Sequence, residues 1–184
     1  CYRSAKDRAY TRLAVKVHSK NYIGAAPAMK IRQFNMGNPV KDFSHVLDMK
    51  VQDEVQLRDN AIEAIRIAIN KFLQKRLGKE NYFMKIRVFP SHILRENKIA
   101  QGAGADRIST GMRHSFGTPI GRAVRVRPGL KIISVLVDQA HTETAKEGML
   151  RANPKIPTRV KIVVHTDVKS IGTKPSKVRE AEEK

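Results

Sequence analysis

The chain runs to 184 residues and 20.7 kDa, one domain's worth of sequence with some length to spare for extensions. Its 36 Lys and Arg against 17 Asp and Glu give a formal charge of +19, which points to a polyanionic partner. A hydrophobic content of 41% excludes wholesale disorder, the lone Cys1 excludes an internal disulfide framework or a zinc site of several thiolates, and no apolar run reaches the ~18 residues of a membrane helix.

Residues 1–28 show no sustained hydrophobic period and end in the turn-prone run GAAPA. They read as a basic N-terminal extension that becomes ordered on a partner, with Arg3, Arg8, Arg12, Lys16 and Lys20 available to phosphates. Tyr2, Tyr10 and Tyr22, interleaved with these cations, could stack on bases or pack onto the domain that follows.

A folded domain is expected over 29–165. It opens with a strand from Met29 to Phe34, carrying Lys30 and Arg32, and a weaker second strand from His45 to Val51. Ile62, Ile65, Ile69, Phe72 and Leu73 then recur at three- and four-residue spacing, the mark of a helix with one buried face. Asp59 or Asn60 can cap its start, and Gly78 stands where a left-handed C-terminal residue belongs. The outer face of this helix is mixed in sign, so it reads as scaffold.

Three later segments share a pattern. In 84–88, 123–127 and 159–164, aliphatic residues alternate with Lys85 and Arg87, with Arg125 and Arg127, and with Arg159 and Lys161. Period two sends the aliphatics to one face and the charges to the other. Polar residues on an exposed sheet face are ordinary, but uniform positive charge is not, because like charges on neighbouring strands repel. A shared basic face that contacts nucleic acid is therefore expected, with Arg122 at its edge. The run LKIISVLV at 130–137 is apolar on both faces and reads as a central strand, entered through a Pro128-Gly129 turn. A short helix follows at about 142–152, with Thr144 and Glu147 spaced as a capping box and Asn153-Pro154 as its stop. Residues 166–184 read as a flexible, charged tail.

Between the strand near His92–Arg95 and the one starting near Gly121 lies a glycine-rich loop, 96–120, too long to be a simple connection. It fits neither a dinucleotide fingerprint nor a P-loop, since the third glycine and the Gly-Lys-Ser/Thr are missing. It reads as a basic finger. Gly102, Gly104 and Gly111 allow close backbone approach, Arg95, Lys98, Arg107 and Arg113 reach phosphates, and Met112 offers a packing surface. Asp106 suits a turn or the orientation of an arginine better than catalysis.

Charge along the chain is blocked: 1–32 is net +7, 85–131 net +8 and 155–184 net +4, while the intervening segments are together neutral. Such clustering favours phosphate neutralisation with counterion release. The six histidines have no metal-ligand spacing, and the basic regions hold almost no carboxylate that could bind Mg²⁺ or act as a base. No catalytic residue, metal or cofactor is expected. The N-terminus lacks the apolar stretch of a secretory signal, and a soluble protein of a reducing compartment is expected.

These residues resemble the uL16 family of large-subunit ribosomal proteins in its archaeal and eukaryotic form, L10e. The likeness is carried by CYR at the start, MKIR at 29–32, AIEAIRIAINKF at 61–72, AGADRISTGMRHSFGTPIG at 103–121 and AVRVRPG at 123–129, and it runs over about 1–165. The short tail suits an archaeal member, and in the family a few basic residues precede the cysteine, so the true N-terminus is expected before Cys1. The resemblance implies an α+β fold, a two-layer α/β sandwich with helices packed on one face of a mixed sheet. It implies binding to large-subunit rRNA near the A-site tRNA and the peptidyl transferase centre, beside neighbouring ribosomal proteins, in a cytoplasmic ribosome and not as an independent oligomer. Arg107, Thr110, Gly111, Met112 and Arg113 match the family's loop pattern and Arg95 its basic residue at the loop base, whereas His114-Ser115 departs from the usual Gly-Ala. The competing readings are an RNA-processing or RNA-modifying enzyme, and a free nucleic-acid-binding module.

Overall fold

Residues 26–98, 102 and 117–172 are described by the structure, a computed structural model. Among them, β2 (His45–Val51) and β7 (Lys131–Val137) pair at the centre of a five-stranded sheet. It is completed by β4 (Tyr82–Ile86), β1 (Asn35–Gly37) and β8 (Val160–His165) in the order β1-β4-β7-β2-β8. A second sheet of three strands has the order β3 (Val55–Arg58), β6 (Thr118–Val126), β5 (His92–Glu96). Helix α1 (Asp59–Leu77) and the shorter α2 (Thr142–Leu150) complete the α+β layers that were expected.

The sheet foreseen as mixed is instead two sheets with every pairing antiparallel. The connections explain this. The α2 crossover returns the chain so that β8 runs parallel to β7, but β2 lies between them and pairs antiparallel with both. The α1 crossover links strands of different sheets.

One core joins the layers. Ile62, Ile65, Ile69, Phe72 and Leu73, the helix stripe read from spacing, are all buried. They meet Leu47, Met49, Met84, Ile133 and Val135 from the large sheet, Leu57 and Val126 from the small one, and Met149 from α2. Each fully buried aliphatic contributes about 1.5–3 kcal/mol, so this stripe is the main scaffold term. A smaller cluster lies on the opposite face of the large sheet, where the 3₁₀ turn Val168–Ile171 lays Ile171 against Phe43, Val46, Phe83 and Leu136.

Local departures have local causes. Met29–Phe34 is not a strand: the backbone N–H groups of Lys30 and Arg32 donate to the Asp59 and Glu63 carboxylates of α1, at 3.1 and 3.2 Å, so the ladder starts only at Asn35. Asp59 is thereby used as an acceptor for its neighbours and not as the cap, which is Arg58 without a side-chain bond. Gly78 ends α1 with φ +77°, the positive φ that favours glycine as expected there, while its ψ of 163° leads the chain out extended. The Thr144–Glu147 capping box does not form, because α2 has already begun at Thr142; Glu147 pairs instead with Arg151 at 2.8 Å.

Candidate nucleic-acid interface

The three basic strands do not make one face. β4 and β8 share the large sheet but are separated by β7 and β2, and β6 belongs to the small sheet. Alternation within a strand says which residues share a side; it carries no information on which strands become neighbours. The charges fall into two separate surfaces.

The first is on the small sheet. Leu57, Val124 and Val126 turn to the core, so the partners across the register, Gln56 and Arg125, and Arg58 and Ala123, turn the other way. His92 pairs with Ala123 and joins that side. The register then slips between Leu94 and Arg95, which sets both Leu94 opposite Gly121 and Arg95 opposite Pro119. The extra residue is Ile120 of β6, so β5 keeps its own alternation and Arg95 turns to the opposite side from Leu94, Arg58 and Arg125. Arg58 and Arg125, on neighbouring strands, thus share a face to which β3 and β6 contribute no carboxylate.

Their electrostatics are consistent with a site for anions. Burial pulls the guanidinium groups of Arg95 and Arg125 below their ordinary range, yet an arginine stays charged in proteins, so these are cations held partly out of water. Burial, and then the Arg125 charge, push the His92 imidazole down to about 4. His92 is 2% exposed, and its Nδ1 lies 3.4 Å from Arg125 Nη2. Arginine only donates, so Nδ1 accepts and the ring is neutral, with its proton on Nε2. A neutral ring beside the arginines adds no repulsion to the cluster.

This face lies at the root of the long loop. A Cβ on Gly117 would sit 2.5 Å from the Glu96 carbonyl carbon and 2.7 Å from the Asn97 nitrogen, so the two legs of the loop touch there and only glycine permits it. Lys98 is exposed just beyond β5, and Gly102 is exposed with φ +123°. Gly104, Asp106, Arg107, Thr110, Gly111, Met112 and Arg113 lie outside the described residues, as do Arg3, Arg8, Arg12, Lys16 and Lys20 of the arm.

Other expected contact residues have partners within the chain. Arg122, on the core side of β6, donates through Nε to the Pro27 carbonyl at 2.7 Å and ties the N-terminal segment down. Lys85 and Arg87 donate to the Ile171 and Ser170 carbonyls at 3.0 and 2.8 Å, clamping the last described turn to the large sheet. The side chains of Lys30 and Arg32 are exposed, and Arg127 is exposed after β6. Arg58 was not anticipated. It ends a four-residue strand that abuts α1, too short for its alternation to register in the sequence. Among the described residues, no three His, Cys, Asp or Glu side chains gather as a metal site would need.

Comparison with known proteins matches residues 7–163 to the family described as ribosomal protein L16p/L10e. The large ribosomal subunit protein uL16 of Archaeoglobus fulgidus is 51% identical over 86% of this chain and 87% of its own length. Its counterparts in Methanoculleus marisnigri and Hyperthermus butylicus are 45% and 40% identical, over 88% and 89% of this chain and 91% of each relative. With the fold, the arginine face at the loop root and this extent of identity together, the chain belongs to the L16p/L10e family of ribosomal proteins.

Proposed function

We propose that this chain is a structural component of the large ribosomal subunit. It binds large-subunit rRNA through the arginine face of the small sheet, the N-terminal arm and the long loop, and it supports positioning of the A-site tRNA near the peptidyl transferase centre. The observation that carries the reading is the placement of Arg58 and Arg125 on one face of the small sheet, with Arg95 on the adjoining strand, at the root of a glycine-rich loop holding Arg107 and Arg113. Guanidinium forks suit phosphate oxygens, and a finger projecting from that face would carry more cations into folded RNA. Ribosomal proteins neighbour it there, in the cytoplasm, and no activity of its own is required.

The test is sedimentation of the tagged full-length protein in an archaeal lysate at moderate salt. Migration with large subunits is expected; recovery only as free protein would overturn the reading. For the tRNA contribution, Arg107→Ala with Arg113→Ala should slow translation by assembled ribosomes while leaving the protein's thermal stability within about 0.5 kcal/mol. Equal losses in both would assign those arginines to the fold.

A further inference from the structure

The second basic surface lies on the outer face of the large sheet, the side away from the helices. Its residues form three rows across the central strands. In the first, Val46 and Leu136 pair under Ile171 and are covered by the last described turn. In the second, Asp48 pairs with Ser134 and is buried. In the third, Lys50 stands directly opposite Lys131 on β7 and directly opposite Lys161 on β8. A bulge after Met49 produces this alignment: it passes over Ile132, which turns to the core, and brings Lys131 into the row.

Directly opposed residues project from the same side of a sheet, so Lys131, Lys50 and Lys161 are a line of three ammonium groups. The hydrogen bond from Lys131 Nζ to Asp48 confirms the side, and Asp48, already held by Ser134 and His165, is the carboxylate beneath the row. Among the described residues, Lys50 and Lys161 have no ion pair. Strands lie about 4.8 Å apart, so the row spans about 10 Å from β7 to β8. Like charges opposite one another destabilise a sheet, and the free protein gains nothing visible from this arrangement. Among the described residues, no exposed aromatic stands among these lysines, which suits a charged backbone better than stacked bases.

We propose that this row is a second RNA site, one that takes the sugar–phosphate backbone of large-subunit rRNA across β7, β2 and β8, on a different sheet from the arginine face. It rests on the rRNA-binding reading above. A phosphate-lined strand of RNA neutralises the row, whereas a protein partner would need a matching acidic patch for which nothing here argues.

The experiment measures binding of the full-length protein to transcribed archaeal large-subunit rRNA over a range of salt. Three proteins are compared: the unaltered chain, Lys50→Gln/Lys161→Gln, and Arg58→Gln/Arg125→Gln. Lys131 is left in place because it also holds Asp48. For the lysine pair, the slope of log affinity against log salt should become shallower by about 1.5, with Tm in the absence of RNA unchanged or raised. An unchanged slope in the lysine variant, with a reduced one in the arginine variant, would overturn the lysine row and leave the arginine face standing. A lowered Tm with an unchanged slope would overturn it too, by showing that the lysines pair within the fold. Failure of the unaltered chain to bind rRNA would overturn both sites together.

Discussion

The Ser134 hydroxyl donates to the Asp48 carboxylate at 2.6 Å, side chain to side chain between paired residues of β7 and β2, in the middle of a sheet. Asp48 has no exposed surface, and it also accepts from Lys131 and from His165 Nε2, the latter at 2.8 Å. Burial alone would raise its pKa. The bonds from Lys131, Ser134 and His165 together overcome this and hold the carboxyl below its ordinary range. Asp48 is thus a fully satisfied buried carboxylate in the middle of the large sheet, directly below the lysine row.

Removing that charge should be costly. Asp48→Ala leaves Ser134 buried and unpaired, while Lys131, 27% exposed, can turn towards water. The loss is therefore expected at about 2–4 kcal/mol, short of the full cost of a stranded buried ion. Asp48→Asn keeps an acceptor for Ser134 and should lose about half as much. Urea unfolding of the two variants at pH 7 checks both the size and the order.

His92 sets a pH dependence of its own. Its pKa in the fold is about 4, whereas an unfolded histidine titrates near ~6.5. Above ~6.5 both states are neutral and stability is complete. As pH falls from there towards 4, the unfolded chain takes up a proton that the fold refuses, and about 3 kcal/mol is lost. Asp48, whose carboxyl is depressed in the fold, adds its loss only below ~4. The difference in unfolding free energy between the unaltered chain and His92→Gln, measured at pH 7.5, 6, 5 and 4.5, should shrink steadily over that window.

Gly148 is where α2 meets α1. A Cβ there would lie 2.8 Å from Phe72 Cδ1 and 3.4 Å from Leu73 Cδ2. Alanine should gain about 1 kcal/mol of helix propensity, but the Phe72 ring would have to tilt out of the core, at about 1–3 kcal/mol. A net loss of about 1 kcal/mol is expected for Gly148→Ala and a larger one for Gly148→Val, read from Tm. A gain for alanine would show that the ring yields freely.

Arg122 holds the N-terminal segment by one charged hydrogen bond to Pro27, next to the Lys30 N–H that donates to Asp59. Arg122→Ala should leave global stability within about 1 kcal/mol. It should also raise hydrogen exchange at the Lys30 amide about tenfold, since local opening there loses its nearest tether. Equal protection in both proteins would mean that Asp59 alone keeps the segment in place.

Much of this molecule can be read without coordinates. A buried helix stripe at Ile62, Ile65, Ile69, Phe72 and Leu73, strands at His45–Val51 and about 130–137, and the blocked positive charge follow from local periodicity and composition, which depend only on neighbours along the chain. The family likeness was also legible, because its motifs are contiguous runs such as 103–121. What only the tertiary structure decided is which charges stand together. Lys85 and Arg87 alternate just as Arg125 does, yet they clamp a turn on one sheet while Arg125 joins Arg58 on the other. Lys50 sits in a charge-neutral stretch of sequence, and only strand pairing and a bulge set it between Lys131 and Lys161. The net +19 belonged to the sequence from the start; register and strand order, settled by contacts far apart along the chain, divided it into surfaces.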